Sequence, residues 1–138
     1  MTLSKWHFPS VVCAVAFSGF SAVHLIDDFL AEVPLEFHLM IPTTEFLALA
    51  YMIALVGLIA AASRQSPTGY LGLTIAGILI TLAQLLKSLP EILLPGPWRS
   101  GPVSEVLALG VGVSALLTAI TSYAAWRAAR YRRDGLSR

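Results

Sequence analysis

The residues best suited to chemistry lie at the end of the first apolar segment. His24 falls inside that segment, and Asp27 and Asp28 follow it by three and four residues. On a helix these spacings bring either carboxylate beside the imidazole, where it can orient the ring or stabilise its charge. Adjacent negative charges are unfavourable at a helix C-terminus. We therefore expect His24 to hydrogen-bond with an acid or a ligand, whereas simple solvent exposure stays an alternative for the aspartates.

Two further polar residues, Gln84 and Lys87, interrupt the third apolar segment near its end. Polar groups in a membrane-spanning helix normally face the protein interior, because lipid cannot satisfy them. Lys87 is expected either to extend its ammonium group to the membrane surface or to pair with Asp27, Asp28 or Glu91. We predict a polar pocket in the outer half of the membrane. Its candidate ligand-binding residues are His24, Asp27, Asp28, Gln84 and Lys87.

Two other acids have a simpler explanation. Glu45 follows two threonines and Glu105 follows Ser104, each at the expected start of a helix. Hydroxyl side chains cap helix N-termini, and acids in the first turn complement the helix dipole. We therefore interpret Glu45 and Glu105 as parts of helix N-termini.

No recognised catalytic or cofactor motif is present in the sequence. His7, His24 and His38 fall at different expected depths, which disfavours a bis-histidine haem site. Glu-x-x-His pairs, a glycine-rich phosphate loop and a nucleophile elbow are all lacking. Cys13 is the single cysteine, so an all-cysteine metal site is excluded. We predict no metal and no cofactor, and the lack of such motifs argues against an enzyme.

Composition places most of the chain in lipid. Of its 138 residues, 57% are hydrophobic and 12% are charged, and the mean hydropathy is +0.76. A soluble domain carries about 25% charged residues. The low charge content excludes a soluble enzyme, a nucleic-acid-binding domain and a disordered protein. We therefore expect the chain to interact mainly with the lipid bilayer.

Four stretches approach the roughly 20 apolar residues that a spanning helix needs. They cover about residues 8–26, 44–62, 70–89 and 103–126, followed by a basic tail over 127–138. The first is interpreted as a retained helix, because it does not end in a signal-peptide cleavage site. Turn-forming residues at 63–69 should join an antiparallel pair. The predicted fold is all-α: one domain, a four-helix transmembrane bundle.

This layout has an acidic end to the first span and a proline, Pro34, soon after it. In that respect it resembles small sterol-binding and isomerase-type membrane domains. The likeness concerns architecture, and no residue role follows from it.

Charge distribution predicts the orientation. Seven of the nine basic residues fall on one side of the predicted spans, while Lys87 and Arg99 fall on the other. The acids divide the opposite way, with only Asp134 on the basic side. Because basic residues favour the cytoplasmic side, we expect a multi-pass protein of the cell membrane with both termini in the cytoplasm.

Small residues recur along one face of the fourth span. They are Ala108, Gly112, Ala115 and Ala119. Small residues let helices approach closely in lipid, so this face is expected to pack against other helices of the chain. Self-association or docking to another subunit is the alternative.

Two functions remain open from the sequence. The leading expectation is a non-catalytic accessory or assembly subunit of a larger membrane complex, possible partners being other membrane subunits or a second copy. The alternative is a binding protein, carrier or enzyme for a lipophilic small molecule that uses the polar pocket.

Overall fold

The computed structural model describes residues 4–30, 41–93 and 102–136, with side chains over 4–30, 43–87 and 103–131. These ranges contain helices and no strand. In chain order the helices are α1 (His7–Leu30), α2 (Ile41–Ser63), α3 (Pro67–Leu93) and α4 (Pro102–Leu136). Each is long and apolar enough to cross a membrane. The predictions of an all-α fold and of four candidate spans are confirmed.

The helices extend beyond the predicted spans, and prolines mark where they begin. Pro9, Pro42, Pro67 and Pro102 all lie within the first three residues of a helix. Backbone N–H groups in the first turn have no intrahelical acceptor, so proline costs little there. The sequence places Pro67 in the connecting segment 63–69, whereas in the structure it is the first residue of α3.

The helix boundaries differ from the expected ones at three places. Glu45 lies in the second turn of α2 rather than behind a threonine cap, because the helix already begins at Ile41. α3 passes through Pro90 and ends at Leu93, so the segment after Leu89 is not wholly irregular. Most of the expected basic tail, residues 127–136, continues α4. Its alanines and arginines favour helix.

The connection between α2 and α3 is a tight helix-terminating turn. Gln65 has a φ of 61°, its N–H donates to the carbonyl of Ala62, and the N–H of Ser66 donates to that of Ala61. This pair of bonds is the Schellman arrangement, which satisfies the last carbonyls of a helix. Gly69 packs directly on the backbone of Ala61 and Ala62, leaving no room for a Cβ atom. The expected short link between neighbouring helices is confirmed.

α4 has the most extensive contacts, packing mainly against α3 and α1, whereas α2 contacts α1 and α3. The buried stripe of α1 is the one that the residue spacing predicts: Ser10, Ala14, Phe17, Ser21 and His24. On α4, Ala108, Ala115 and Ala119 are buried and Gly112 is half-buried. The buried face of α4 is wider than one stripe and also includes Val111, Ser114, Thr118, Thr121 and Ala125.

Buried hydroxyl groups find partners between and within the helices. Ser10 on α1 bonds to Ser122 on α4 at 2.7 Å between hydroxyl oxygens, and Ser21 bonds to Tyr51 on α2 at 3.1 Å. Thr74 and Thr118 instead donate to the carbonyl one turn earlier on their own helix. Because apolar surroundings offer no water, these bonds let the polar side chains stay buried.

α3 and α4 approach each other closely at Gly77. A Cβ atom there would lie 2.5 Å from the carbonyl oxygen of Ala115 and 2.9 Å from the backbone nitrogen of Ala119. The nearest atom to a Cβ at Gly112 is the Cβ of Gln84, at an ordinary 3.9 Å. The glycine that this interface requires is therefore on α3, facing the alanines of α4.

Gly77→Ala and Gly112→Ala form a matched test of this packing. We expect Gly77→Ala to lower the free energy of unfolding by about 1–3 kcal/mol, because backbone atoms must shift to admit the methyl group. Gly112→Ala should leave it unchanged or raise it by up to about 1 kcal/mol, since alanine favours helix. Unfolding in mixed detergent measures both. Equal effects of the two substitutions would contradict the assigned close approach.

Candidate functional site

Three helices meet at the end of the molecule that carries the acids. The last turns of α1 supply His24, Asp27 and Asp28, α3 supplies Lys87, and the first turn of α4 supplies Ser104. We call these five side chains the polar cluster. Four of them were predicted as candidate site residues, and the contacts below show how they are joined.

An ion pair joins α1 to α3. The Lys87 Nζ atom lies 3.3 Å from Oδ2 and 3.5 Å from Oδ1 of Asp28. The side chains are 36% and 22% exposed respectively, so neither charge is fully solvated. Of the alternatives open for Lys87, the structure shows pairing with Asp28. Each charge lowers the cost of holding the other at the end of an apolar helix.

A hydrogen bond joins α1 to α4, since the Ser104 hydroxyl donates to Oδ2 of Asp27. Ser104 is buried, and the prediction that it caps a helix is wrong because α4 begins two residues earlier, at Pro102. Glu105 does lie in the first turn of α4, where its charge complements the dipole. Sequence reasoning missed Ser104 as a site residue. The sequence did contain a signal for this contact. Because α1 and α4 are antiparallel, the end of α1 lies beside the start of α4.

His24 is the least satisfied member of the polar cluster. The residue is only 6% exposed, and neither ring nitrogen has a hydrogen-bond partner. Its Nε2 atom lies 3.8 Å from Oδ2 of Asp28, too far for a hydrogen bond. The imidazole is thus held near a carboxylate that is already bonded to Lys87.

Gln84 lies one turn before Lys87 on α3 and is half-buried. Its Oε1 atom is buried without a hydrogen-bond partner, and its Cβ faces the position of Gly112 on α4. No hydrogen bond joins Gln84 to the polar cluster. Among the described side chains, His24 and Gln84 are the two with buried polar atoms that lack a partner.

The cluster also contains candidate metal ligands. His24, Asp27 and Asp28 each offer one ligand atom, and these atoms lie within 4.8 Å of one another. This is the one such group within the described part of the chain. The sequence predicts no metal site, so the grouping of these three candidate ligands at the end of α1 is a finding of the structure.

The opposite end of the molecule provides a contrast. The Nδ1 atom of His7 is 2.6 Å from the hydroxyl of Tyr70, so this histidine is hydrogen-bonded. On the last turns of α4, the guanidinium of Arg130 stacks on the ring of Trp126 and that of Arg127 on Tyr131. Such contacts hold aromatic and basic residues together along a helix surface. Among the described side chains of this end, none has a buried polar atom without a partner, in contrast to the imidazole of His24.

Several residues named in the sequence analysis lie outside the described residues. These are Pro34, His38 and Arg99. The side chains of Glu91 and Asp134 are likewise outside the described set.

Comparison of the chain with protein-family models, with curated proteins and with solved structures gives no match. The residues themselves therefore carry the functional argument.

Proposed function

We propose that this chain is an integral membrane protein that binds a lipophilic small molecule through His24 and Gln84. The observation that carries the proposal is the buried imidazole of His24, with two ring nitrogens that lack partners. A buried polar group without a partner costs about 1–3 kcal/mol. A ligand that bonds to the ring recovers that cost, so the arrangement favours a bound state.

The unpaired atoms indicate the polar chemistry of the ligand. The Oε1 atom of Gln84 accepts a hydrogen bond and therefore needs a donor. A neutral imidazole offers one donor and one acceptor. A hydroxyl group, which both donates and accepts, is suited to either side chain. The apolar surroundings of α1 and α3 suit a hydrocarbon body attached to it.

The proposed pocket differs from the leading expectation of the sequence, an accessory or assembly subunit. That expectation depends on the small soluble mass, on the lack of a recognised catalytic motif and on the small-residue face of α4. Of that face, Ala108, Ala115 and Ala119 are buried within the single chain. A partner subunit or a second copy would have to use another surface. Assembly into a larger complex stays a prediction.

The orientation is also part of the proposal: the helices form a transmembrane bundle with both termini in the cytoplasm. Contacts between His7 and Tyr70 and between Ser10 and Ser122 bring the start of α1 to the start of α3 and the end of α4. The basic side chains of Lys5, Arg64, Arg127 and Arg130 therefore share one end. A shared basic end supports a cytoplasmic position for it. With that orientation, the polar cluster would lie near the outer face.

Native mass spectrometry tests the pocket. We expect wild-type protein, extracted from its own membrane in mild detergent, to carry a stoichiometric organic adduct. His24→Ala and Gln84→Leu should lose the adduct because its polar group loses a partner. The matched control is His7→Ala, which removes a histidine that is bonded to Tyr70 at the other end.

Loss of the adduct from His7→Ala as strongly as from His24→Ala would contradict the assignment of the pocket. So would a wild-type chain that carries no adduct. A chain with other polypeptides attached and no organic adduct would support the accessory-subunit alternative instead.

Single-cysteine labelling tests the orientation. In a Cys13→Ser background, Glu105→Cys and Ser63→Cys place a thiol at exposed positions on opposite ends of the helices. A membrane-impermeant maleimide should label the Glu105→Cys protein in intact cells. The Ser63→Cys protein should react only after permeabilisation, and the reverse pattern would refute the orientation.

A further inference from the structure

We infer that His24, Asp27 and Asp28 form a binding site for a divalent first-row transition-metal ion such as Zn²⁺. This goes beyond the proposed function, because it concerns an inorganic ion and depends on the two aspartates rather than on Gln84. Three features of the cluster support the inference: its ligand geometry, its unpaired histidine and its charge.

The geometry fits a metal ion after a small closure of side chains. Zn²⁺ binds nitrogen and oxygen ligands at about 2.0–2.2 Å, so two ligands of one ion lie at most about 4.4 Å apart. In the structure the three candidate ligand atoms lie within 4.8 Å of one another. His24 and Asp28 are four residues apart, a spacing that brings two side chains to one face of a helix. Rotation about the side-chain bonds of these three residues is the movement that the inference requires.

The histidine supplies the observation that an acidic cluster alone lacks. The side chain of His24 is 8% exposed, and its Nε2 atom points to the carboxylate of Asp28 at 3.8 Å without bonding to it. A metal-binding imidazole must be neutral and must have a free nitrogen lone pair. A metal ion between the ring and the carboxylates would satisfy the nitrogen that the protein leaves unpaired.

The surrounding polar groups fit the same ion. Ser104 donates to Oδ2 of Asp27, which leaves Oδ1 of that carboxylate available and restrains its orientation. Hydrogen bonds to the carboxylates that hold a metal typically strengthen binding in this way. Imidazole and carboxylate ligands together suit Zn²⁺, Fe²⁺, Mn²⁺ or Co²⁺. Three protein ligands leave a further coordination position open to water or to a ligand.

Lys87 acts as a competing cation. Two carboxylates and a neutral histidine carry two negative charges, which a divalent ion balances fully and the lysine ammonium balances only in part. The ammonium lies 3.3 Å from Oδ2 of Asp28, and the Lys87 side chain is 36% exposed. When the ion binds, the flexible lysine can therefore release Asp28 and extend toward water.

Metal titration of the full chain tests the site. Protein purified without a polyhistidine tag and treated with a chelator is titrated with Zn²⁺ against a chromophoric competitor, and with Co²⁺ by absorption spectroscopy. We expect one Zn²⁺ ion per chain and a Co²⁺ spectrum typical of nitrogen and oxygen ligands. His24→Ala and Asp27→Asn should abolish both. Ser104→Ala should weaken Zn²⁺ binding by about tenfold, because Asp27 loses its restraint.

Lys87→Met is the decisive variant. Removing the competing ammonium should tighten Zn²⁺ binding several-fold, an outcome that general damage to the fold cannot produce. His7→Ala is the control and should bind Zn²⁺ as the wild type does. Unchanged or weaker Zn²⁺ binding by Lys87→Met, or wild-type affinity in His24→Ala, would overturn the inference.

Two variants distinguish the metal site from the organic pocket. Gln84→Leu should keep Zn²⁺ binding and lose the organic adduct. Asp27→Asn should lose Zn²⁺ binding and keep the adduct. Loss of Zn²⁺ binding on Gln84→Leu would contradict a site made only of α1 residues.

Discussion

The fold depends on one constraint: a polar group placed among apolar helices needs a partner within the protein. Neither lipid nor the packed interior supplies hydrogen bonds, so an unpaired group keeps the full cost of its desolvation. The buried serines and threonines meet this constraint by bonding across helices, as Ser10 does with Ser122, or to their own backbone, as Thr118 does. The charges of Asp28 and Lys87 meet it by pairing with each other. These bonds also fix which helix faces meet.

Against that background, His24 and Gln84 are exceptions, and each lies one turn before a member of the ion pair that joins α1 to α3. Both lie toward the end of the molecule where Asp28 and Lys87 join those helices. Natural proteins break local rules mainly at functional sites, where the cost is recovered by a ligand. Within the described residues, His24 and Gln84 are the two side chains with buried polar atoms that lack a partner, and this is the reason for assigning function here rather than to the basic end.

The sequence predicted the parts of this structure that follow from helical spacing. The stripe of α1 from Ser10 to His24 is buried as its period requires, and Lys87 pairs with Asp28, one of the two alternatives that the sequence left open for it. Contacts between helices were less accessible to such reasoning. Gly112 belongs to a small-residue pattern, yet Gly77 makes the close approach. A pattern of small residues on one helix does not specify which residue of the neighbouring helix lies opposite it.

The role of Ser104 shows the same limit. In the sequence, a serine followed by an acid is typical of a helix cap. Only the packing of α1 against α4 in the structure shows that Ser104 donates to Asp27. The candidate metal ligands are likewise close in sequence, but the contacts of Asp27 with Ser104 and of Asp28 with Lys87 depend on how three helices pack. The sequence identified candidate residues on each helix. Their partners on the other helices became known only from the arrangement of the three helices in the structure.

The central claim is that His24 is maintained for a ligand and not for the fold. The most direct measurement is the free energy of unfolding of ligand-free, metal-free His24→Leu protein, compared with the wild type under the same conditions. Leucine removes two unpaired buried nitrogens, so the account predicts a gain of about 1 kcal/mol or more. His7→Leu, which breaks the bond to Tyr70, should lose stability. A loss of stability in His24→Leu as large as that in His7→Leu would show that His24 holds the fold together, and would contradict the account.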